Sequence, residues 1–162
     1  MKLTLLLIAT LGVYANALHG EPSLIKFYQA GVHCLGVKEL SAGRHLYGLD
    51  CDEAQEFVYR DDYLLQIDNT NLCLQAQKAD DGTPYKHIVL DDCNAGVPRQ
   101  EWLFYRVPAN SNNSLYSIVN GGNNKVVEYE GQHNRVSLRP ADRDEEHQCV
   151  KRLNNAFFDT EQ

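Results

Sequence analysis

The stretch "CLQAQKADDGTPYKHIVLDDCNAGVPRQEWLFY", Cys73 to Tyr105, decides how this chain is read. It opens and divides on two cysteines, breaks into a turn at Gly82-Thr83-Pro84, and ends on the only tryptophan, Trp102, two residues after Gln100. The same arrangement recurs on either side. Its first piece, "LCLQA" from Leu72, is matched by "HCLGV" from His33 and by "KVVEY" from Lys125. Its second, "IVLDDC" ending at Cys93, is matched by "LYGLDC" ending at Cys51 and "VSLRPA" ending at Ala141. Its third, "QEWLF" from Gln100, is matched by "QEFVY" from Gln55 and by the weaker "HQCVK" from His147.

Three copies starting 39 and 53 residues apart are the mark of a repeat architecture. Each copy is built of short extended pieces. Alternation places Tyr63, Leu65 and Ile67 on one face, Trp102 and Phe104 on another, and Tyr116 and Ile118 on a third. Turn residues separate them at Asp80 to Pro84, Asn94 to Gly96 and Asn120 to Asn124, and no segment of helical length carries a clean 3.6-residue period. The chain is therefore expected to be all-β, and closing the sheet would remove its unpaired edges. Three blades are too few for a propeller, which needs ~4 or more, whereas three four-stranded repeats fit a β-trefoil.

The first seventeen residues stand apart. Lys2, an apolar run from Leu3 to Val13 and the small-residue pattern Ala15-Asn16-Ala17 predict a secretory signal peptide. The run is well short of the ~20 apolar residues that span a bilayer, so no membrane span is expected. Removing those seventeen residues from 162 leaves 145, one domain beginning near Leu18, with repeats at roughly 24–60, 61–107 and 113–153. It also removes Lys2 alone among charged residues, so the net charge moves from −7 to −8. Nucleic acid and anionic membranes are poor partners for such a chain. An extracellular or secretory-pathway location makes disulfides available to the five cysteines, Cys34, Cys51, Cys73, Cys93 and Cys149, and leaves one over. Zinc is disfavoured because no two cysteines stand at a C-x₂₋₄-C spacing. Asn112-Asn113-Ser114, in a polar loop after Pro108, is an N-glycosylation sequon.

The Cys73–Tyr105 stretch, followed by "YSIVNGGNNKVVEY", resembles the ricin B-type lectin family, a β-trefoil of three homologous Gln-x-Trp repeats, over roughly residues 24 to 153. The resemblance implies disulfides Cys34–Cys51 and Cys73–Cys93. It makes Phe57 and Trp102 core residues of the Gln-x-aromatic element, and Cys149 a small apolar replacement for the third aromatic. It also implies a pocket in each repeat, with a carboxylate two residues after the first cysteine, an aromatic platform just before the second, and polar groups around the glutamine. Such a set suits sugars, since a carboxylate accepts vicinal hydroxyls and an aromatic face covers the apolar face of the ring.

Carried over residue by residue, the first repeat has Gly36 at the carboxylate position and is expected to be silent. The second has Gln75, with Asp91 in place of the aromatic and Arg99 and Gln100 near its end. The third alone keeps an acid, Glu128, with Ser137 and Arg139 on its second strand and His147 in the glutamine's place. Tyr129 falls on the opposite face. The resemblance thus implies a carbohydrate-binding protein whose partner is a glycan or glycoprotein. Two other readings remain open: a trefoil that binds a protein, as protease inhibitors do, and a structural coat or matrix component cross-linked through the odd cysteine. No nucleophile elbow, zincin helix or phosphate loop argues for an enzyme. No metal or other cofactor is expected, and the acid-rich Asp142 to His147 run reads as a solvated loop.

Overall fold

A computed structural model describes residues 20–28, 33–78, 82, 85–107, 115–141, 148 and 150–152. The proposed signal peptide, Asn112, His147 and Cys149 lie outside the described residues. Twelve strands are described, and they fall into three groups of four. The first group is β1 (Ile25–Phe27), β2 (His33–Val37), β3 (Leu46–Asp50) and β4 (Phe57–Tyr59). The second is β5 (Leu65–Ile67), β6 (Leu72–Gln77), β7 (His87–Asp92) and β8 (Trp102–Val107). The third is β9 (Leu115–Asn120), β10 (Val126–Glu128), β11 (Ser137–Arg139) and β12 (Val150–Arg152). The fold is all-β, a β-trefoil.

The outer strands of each group close a barrel. β4 pairs β5, β8 pairs β9, and β12 pairs both β9 and β1. The ring is completed by the bridges Ser23↔Phe57 and Leu64↔Glu101. The inner pairs β2/β3, β6/β7 and β10/β11 are hairpins that lean on one another. Gly43 and Arg44 bond Leu90, Leu138 bonds Lys86, and Val136 bonds Leu46, so each hairpin caps the next. Among the described residues every strand is paired with at least one neighbour, which limits pairing with another chain.

The core repeats with the sequence. Leu35, Leu74 and Val127 are buried at equivalent places on the first hairpin strands, as are Leu46, Ile88 and Val136 on or beside the second. Trp102 is completely buried because its ring nitrogen finds the Leu74 carbonyl at 2.9 Å. Phe57 occupies the same place in the first repeat. In the third repeat the structure moves the expected register by one residue: Val150, rather than Cys149, takes the aromatic's position, opening β12 as Phe57 opens β4 and Trp102 opens β8. Cross-strand partners compensate the lost volume. Large Phe57 faces Ile67, while small Val150 faces Phe27. A size swap across a strand pair keeps the total volume that packing requires.

Both disulfides implied by the resemblance are formed, Cys34–Cys51 and Cys73–Cys93, each fastening a hairpin at its open end. Their closed loops, 17 and 20 residues in sequence separation, should each contribute on the order of 3 kcal/mol by restricting the unfolded chain. The third hairpin has no bridge at the equivalent Val126 and Ala141. Its loop instead docks on the first hairpin. The His133 amide donates to the Gly48 carbonyl there, the Gly48 amide donates to the Asn134 carbonyl, and Gln132 reaches Asp50 at 3.1 Å.

Candidate functional site

Each hairpin carries the same trio of positions: the residue two after the first cysteine or its equivalent, the residue two before the second, and the glutamine of the Gln-x-apolar element. The three repeats have spent them differently.

In the first repeat the pocket is filled. A Cβ at Gly36 would lie 3.0 Å from Leu49 Cδ1 and 3.2 Å from the Ala54 backbone, so no side chain fits and none projects. Gln55 turns inward as a clasp, accepting from the Val37 amide at 2.7 Å and donating to its carbonyl at 3.2 Å.

In the second repeat Gln75, Asp91 and Gln100 are together, and they satisfy one another. Gln100 donates to Gln75 Oε1 at 3.1 Å and to the Asp92 carbonyl at 2.9 Å, while its own oxygen accepts the Asn94 amide at 2.8 Å. Gln75 donates in turn to Asp91 Oδ2 at 2.9 Å, and Asp91 Oδ1 accepts the Asp92 amide. Gln75 and Gln100 are both buried. The short 3₁₀ turn Pro98–Gln100 delivers Gln100 into this chain of bonds. Buried amides joined this way rigidify a hairpin and leave little for a ligand to recruit.

In the third repeat the equivalent groups are charged and partly open. Glu128 is held by Gln148, whose amide donates to Glu128 Oε2 at 2.9 Å and to the Pro140 carbonyl at 3.1 Å. Gln148 therefore fills the glutamine's place, one residue beyond the expected His147. The reason is geometric: Gln148 and Val150 preserve the two-residue step between the clasp and the apolar residue that Gln55–Phe57 and Gln100–Trp102 show. Glu128 Oε1 lies 3.6 Å from Arg139 Nε, and about half of the Arg139 side chain is exposed.

A residue that the sequence reading passed over completes the cluster. Glu130 Oε1 accepts from Arg139 Nη2 at 3.0 Å and from the Ser137 hydroxyl. Partial burial pushes the Glu130 carboxyl up, but the hydrogen bonds from Ser137 and Arg139 and the charges of Arg139 and Lys86 outweigh it and leave the pKa below its ordinary value. Glu130 thus stays ionised and holds Arg139 in place. The alternation of "EYE" was the available signal, since Glu128 and Glu130 fall on one face and Tyr129 on the other. Tyr129 does turn away: its ring packs tilted against Phe27 at 4.7 Å between centroids and its hydroxyl meets His33 Nδ1 at 2.7 Å. Among the described residues no group of three or more His, Cys, Asp or Glu side chains could hold a metal ion. No helix among them is long and apolar enough to cross a membrane.

A closed barrel capped by three hairpins, each carrying the same trio of positions, defines a β-trefoil of three homologous repeats. The chain belongs to the ricin-type beta-trefoil lectin domain family, whose sequence profile matches residues 24–149. No curated protein matches it in sequence. Solved structures share its fold. The Vibrio vulnificus hemolysin/cytolysin beta-trefoil lectin, solved with N-acetyl-D-lactosamine bound, is similar at 16% identity and a TM-score of 0.61, with 81% of this chain and 92% of that one covered. ThreeFoil, a designed 3-fold symmetric protein, is similar at 15% identity and a TM-score of 0.64, covering 81% and 96%. The hemolytic lectin CEL-III is similar at 13% identity and a TM-score of 0.63, covering 82% of this chain. This chain spans 32% of CEL-III and 23% of GalNAc-T7, another structural neighbour, so it corresponds to one part of those larger proteins.

Proposed function

We propose that this chain is a secreted lectin that binds a glycan at one pocket, in the third repeat. The observation that carries the reading is the contrast between the three equivalent pockets. The first is filled by Leu49 and Ala54, the second is closed by its own amides, and the third keeps Glu128 and Arg139 paired at 3.6 Å and partly exposed. In the lectin reading Gln148 fixes one oxygen of Glu128 and leaves the other to accept sugar hydroxyls, while Arg139 donates to a ring or glycosidic oxygen. Glu130 and Ser137 set the direction of that guanidinium. Hydrogen bonds to a charged acceptor are worth ~1.5–3 kcal/mol, more than neutral ones, which favours this pocket over the Gln75 pocket. Family membership and the lectin neighbours support the sugar class. The apolar leader and the two disulfides support secretion, and the Asn112 sequon would then be open to glycosylation.

Calorimetric titration of the mature protein with glycans scoring on an array, N-acetyl-D-lactosamine first among them, tests this. Glu128→Gln is expected to weaken binding at least ~10-fold, the equivalent of one charged hydrogen bond. Gln75→Ala is expected to change it little. Undiminished affinity in Glu128→Gln, or a loss confined to Gln75→Ala, removes the third repeat as the site.

A further inference from the structure

We propose that the rim of the first repeat's filled pocket is a second binding site, specific for an acidic saccharide, in which Lys38 and Arg135 hold the anionic group beside Tyr47. This site is separate from the third-repeat pocket and rests on the carbohydrate-binding reading only for the sugar that carries the anion.

The argument begins with register. Tyr47 on β3 lies between Gly36 on β2 and Arg135 at the end of the third hairpin's loop, being a Cα partner of both. Directly opposed residues of antiparallel strands project to one face, so Arg135 leaves the sheet on the same face as Tyr47. Lys38 arrives from the other side, with its ammonium 4.3 Å from the ring centroid. Lys38 over the half-buried ring and Arg135 opposite its backbone thus come from different repeats to one face, and both are exposed.

Neither cation is neutralised. Among the described residues Arg44 is paired with Glu39, Arg60 with Asp62, and Arg139 with Glu128 and Glu130, but no carboxylate meets Lys38 or Arg135. Two neighbouring acids are committed elsewhere. Glu39, next to Lys38, holds Arg44 at 2.8 Å, and Asp50 on β3 points to the opposite face, where it meets Gln132 and His33. In a chain of net charge −7, two adjoining cations without a carboxylate are a local reversal of sign that packing does not require.

The chemistry follows from those three side chains. A guanidinium fork binds a sulfate or carboxylate through two parallel bonds, and an ammonium adds a third. The Lys38 contact with the ring, at an exposed site, is weak enough to yield when an anion arrives. Tyr47 then offers its hydroxyl and its ring to the sugar bearing that anion. Because Leu49 and Ala54 fill the floor under Gly36, the sugar lies across the rim instead of entering.

The test uses the mature protein, lactose, sulfated lactose, sialyllactose and inorganic sulfate, titrated by calorimetry at low and at physiological ionic strength. Sulfated lactose or sialyllactose is expected to bind more tightly than lactose and to weaken with salt. The Lys38→Ala/Arg135→Ala double variant, with an unchanged melting temperature because both side chains are exposed, is expected to lose that preference by ~10-fold or more. Equal affinity for lactose and both acidic forms, or an undisturbed preference in the double variant, overturns the proposal. Inorganic sulfate displacing sulfated lactose at equal affinity overturns the saccharide specificity. Loss of lactosamine binding in Glu128→Gln is a separate result, so the two sites can fail independently.

Discussion

At the scale of single residues, three side chains sit where chemistry and packing constrain them most. Trp102 fills the core and donates to Leu74, so Trp102→Ala should cost ~3–5 kcal/mol, measured by denaturant unfolding, through lost burial and an orphaned carbonyl. A variant that kept its midpoint and lost only ligand binding would place Trp102 on a pocket instead. Tyr59 donates to the Trp102 carbonyl at 2.7 Å, and burial, with smaller contributions from Tyr63 and Tyr105, pushes its phenol from 10.0 up to about 12. The folded state therefore holds the proton more tightly than the unfolded one. The stability tied to Tyr59 is complete below pH ~10 and is lost as pH rises toward ~12. Tyr59→Phe should remove that alkaline loss, and unfolding curves across the window show whether it does. Glu130 runs the other way. Its folded pKa is lowered, so its contribution is present above the ordinary glutamate range and disappears as pH falls through the lower folded value. The stability difference between Glu130→Gln and the parent should shrink on acidification. A difference that grew would mean that Glu130 is not paired as described.

At the scale of elements, the hairpins are held by different means, and their sensitivities should differ accordingly. The second hairpin has a disulfide and a closed amide chain, and replacing Cys73 and Cys93 by alanine should cost on the order of 3 kcal/mol without altering glycan binding at the proposed third-repeat site. Non-reducing peptide mapping should recover Cys34–Cys51 and Cys73–Cys93 as the bridges. The third hairpin has no bridge and relies on docking against the first. That docking needs Gly48, where a Cβ would fall 2.3 Å from the Tyr129 ring. Gly48→Ala should therefore displace the ring, break the Tyr129–His33 hydrogen bond and cost ~1–3 kcal/mol of overpacking. If the clash is the cause, pairing Gly48→Ala with Tyr129→Ala should cost less than the two single changes added together, as a double-mutant cycle measures. Simple additivity would show that the ring is not what Gly48 accommodates.

At the scale of the whole molecule, a trefoil lets one chain vary three copies of a pocket independently, because each hairpin is fastened by its own clasp of Gln55, Gln100 or Gln148. Most of the fold was legible in the linear chain. Period-two alternation, turn residues and the recurring Gln-x-aromatic spacing follow from local backbone geometry, and the family's cysteine register carried the two disulfides. The third repeat was harder. With both cysteines and the aromatic gone, only "HQCVK" anchors its register, which points to His147 where Gln148 keeps the two-residue step to Val150. The site divides along the same line. Glu128, Ser137 and Arg139 were visible as residue types at family positions, and Gln75, Asp91 and Gln100 were visible as a cluster. That the second cluster is buried in its own bonds while the third keeps Arg139 half-exposed depends on geometry between strands, which residue types do not specify. Glu130 as the partner of Arg139, and Arg135 beside Tyr47, arise from contacts across and between hairpins. Local pattern determined the strands, the repeats and the candidate positions. Tertiary packing alone decided which polar groups are buried in bonds of the fold and which stay partly exposed, because hydrogen bonds are satisfied in space and not along the chain.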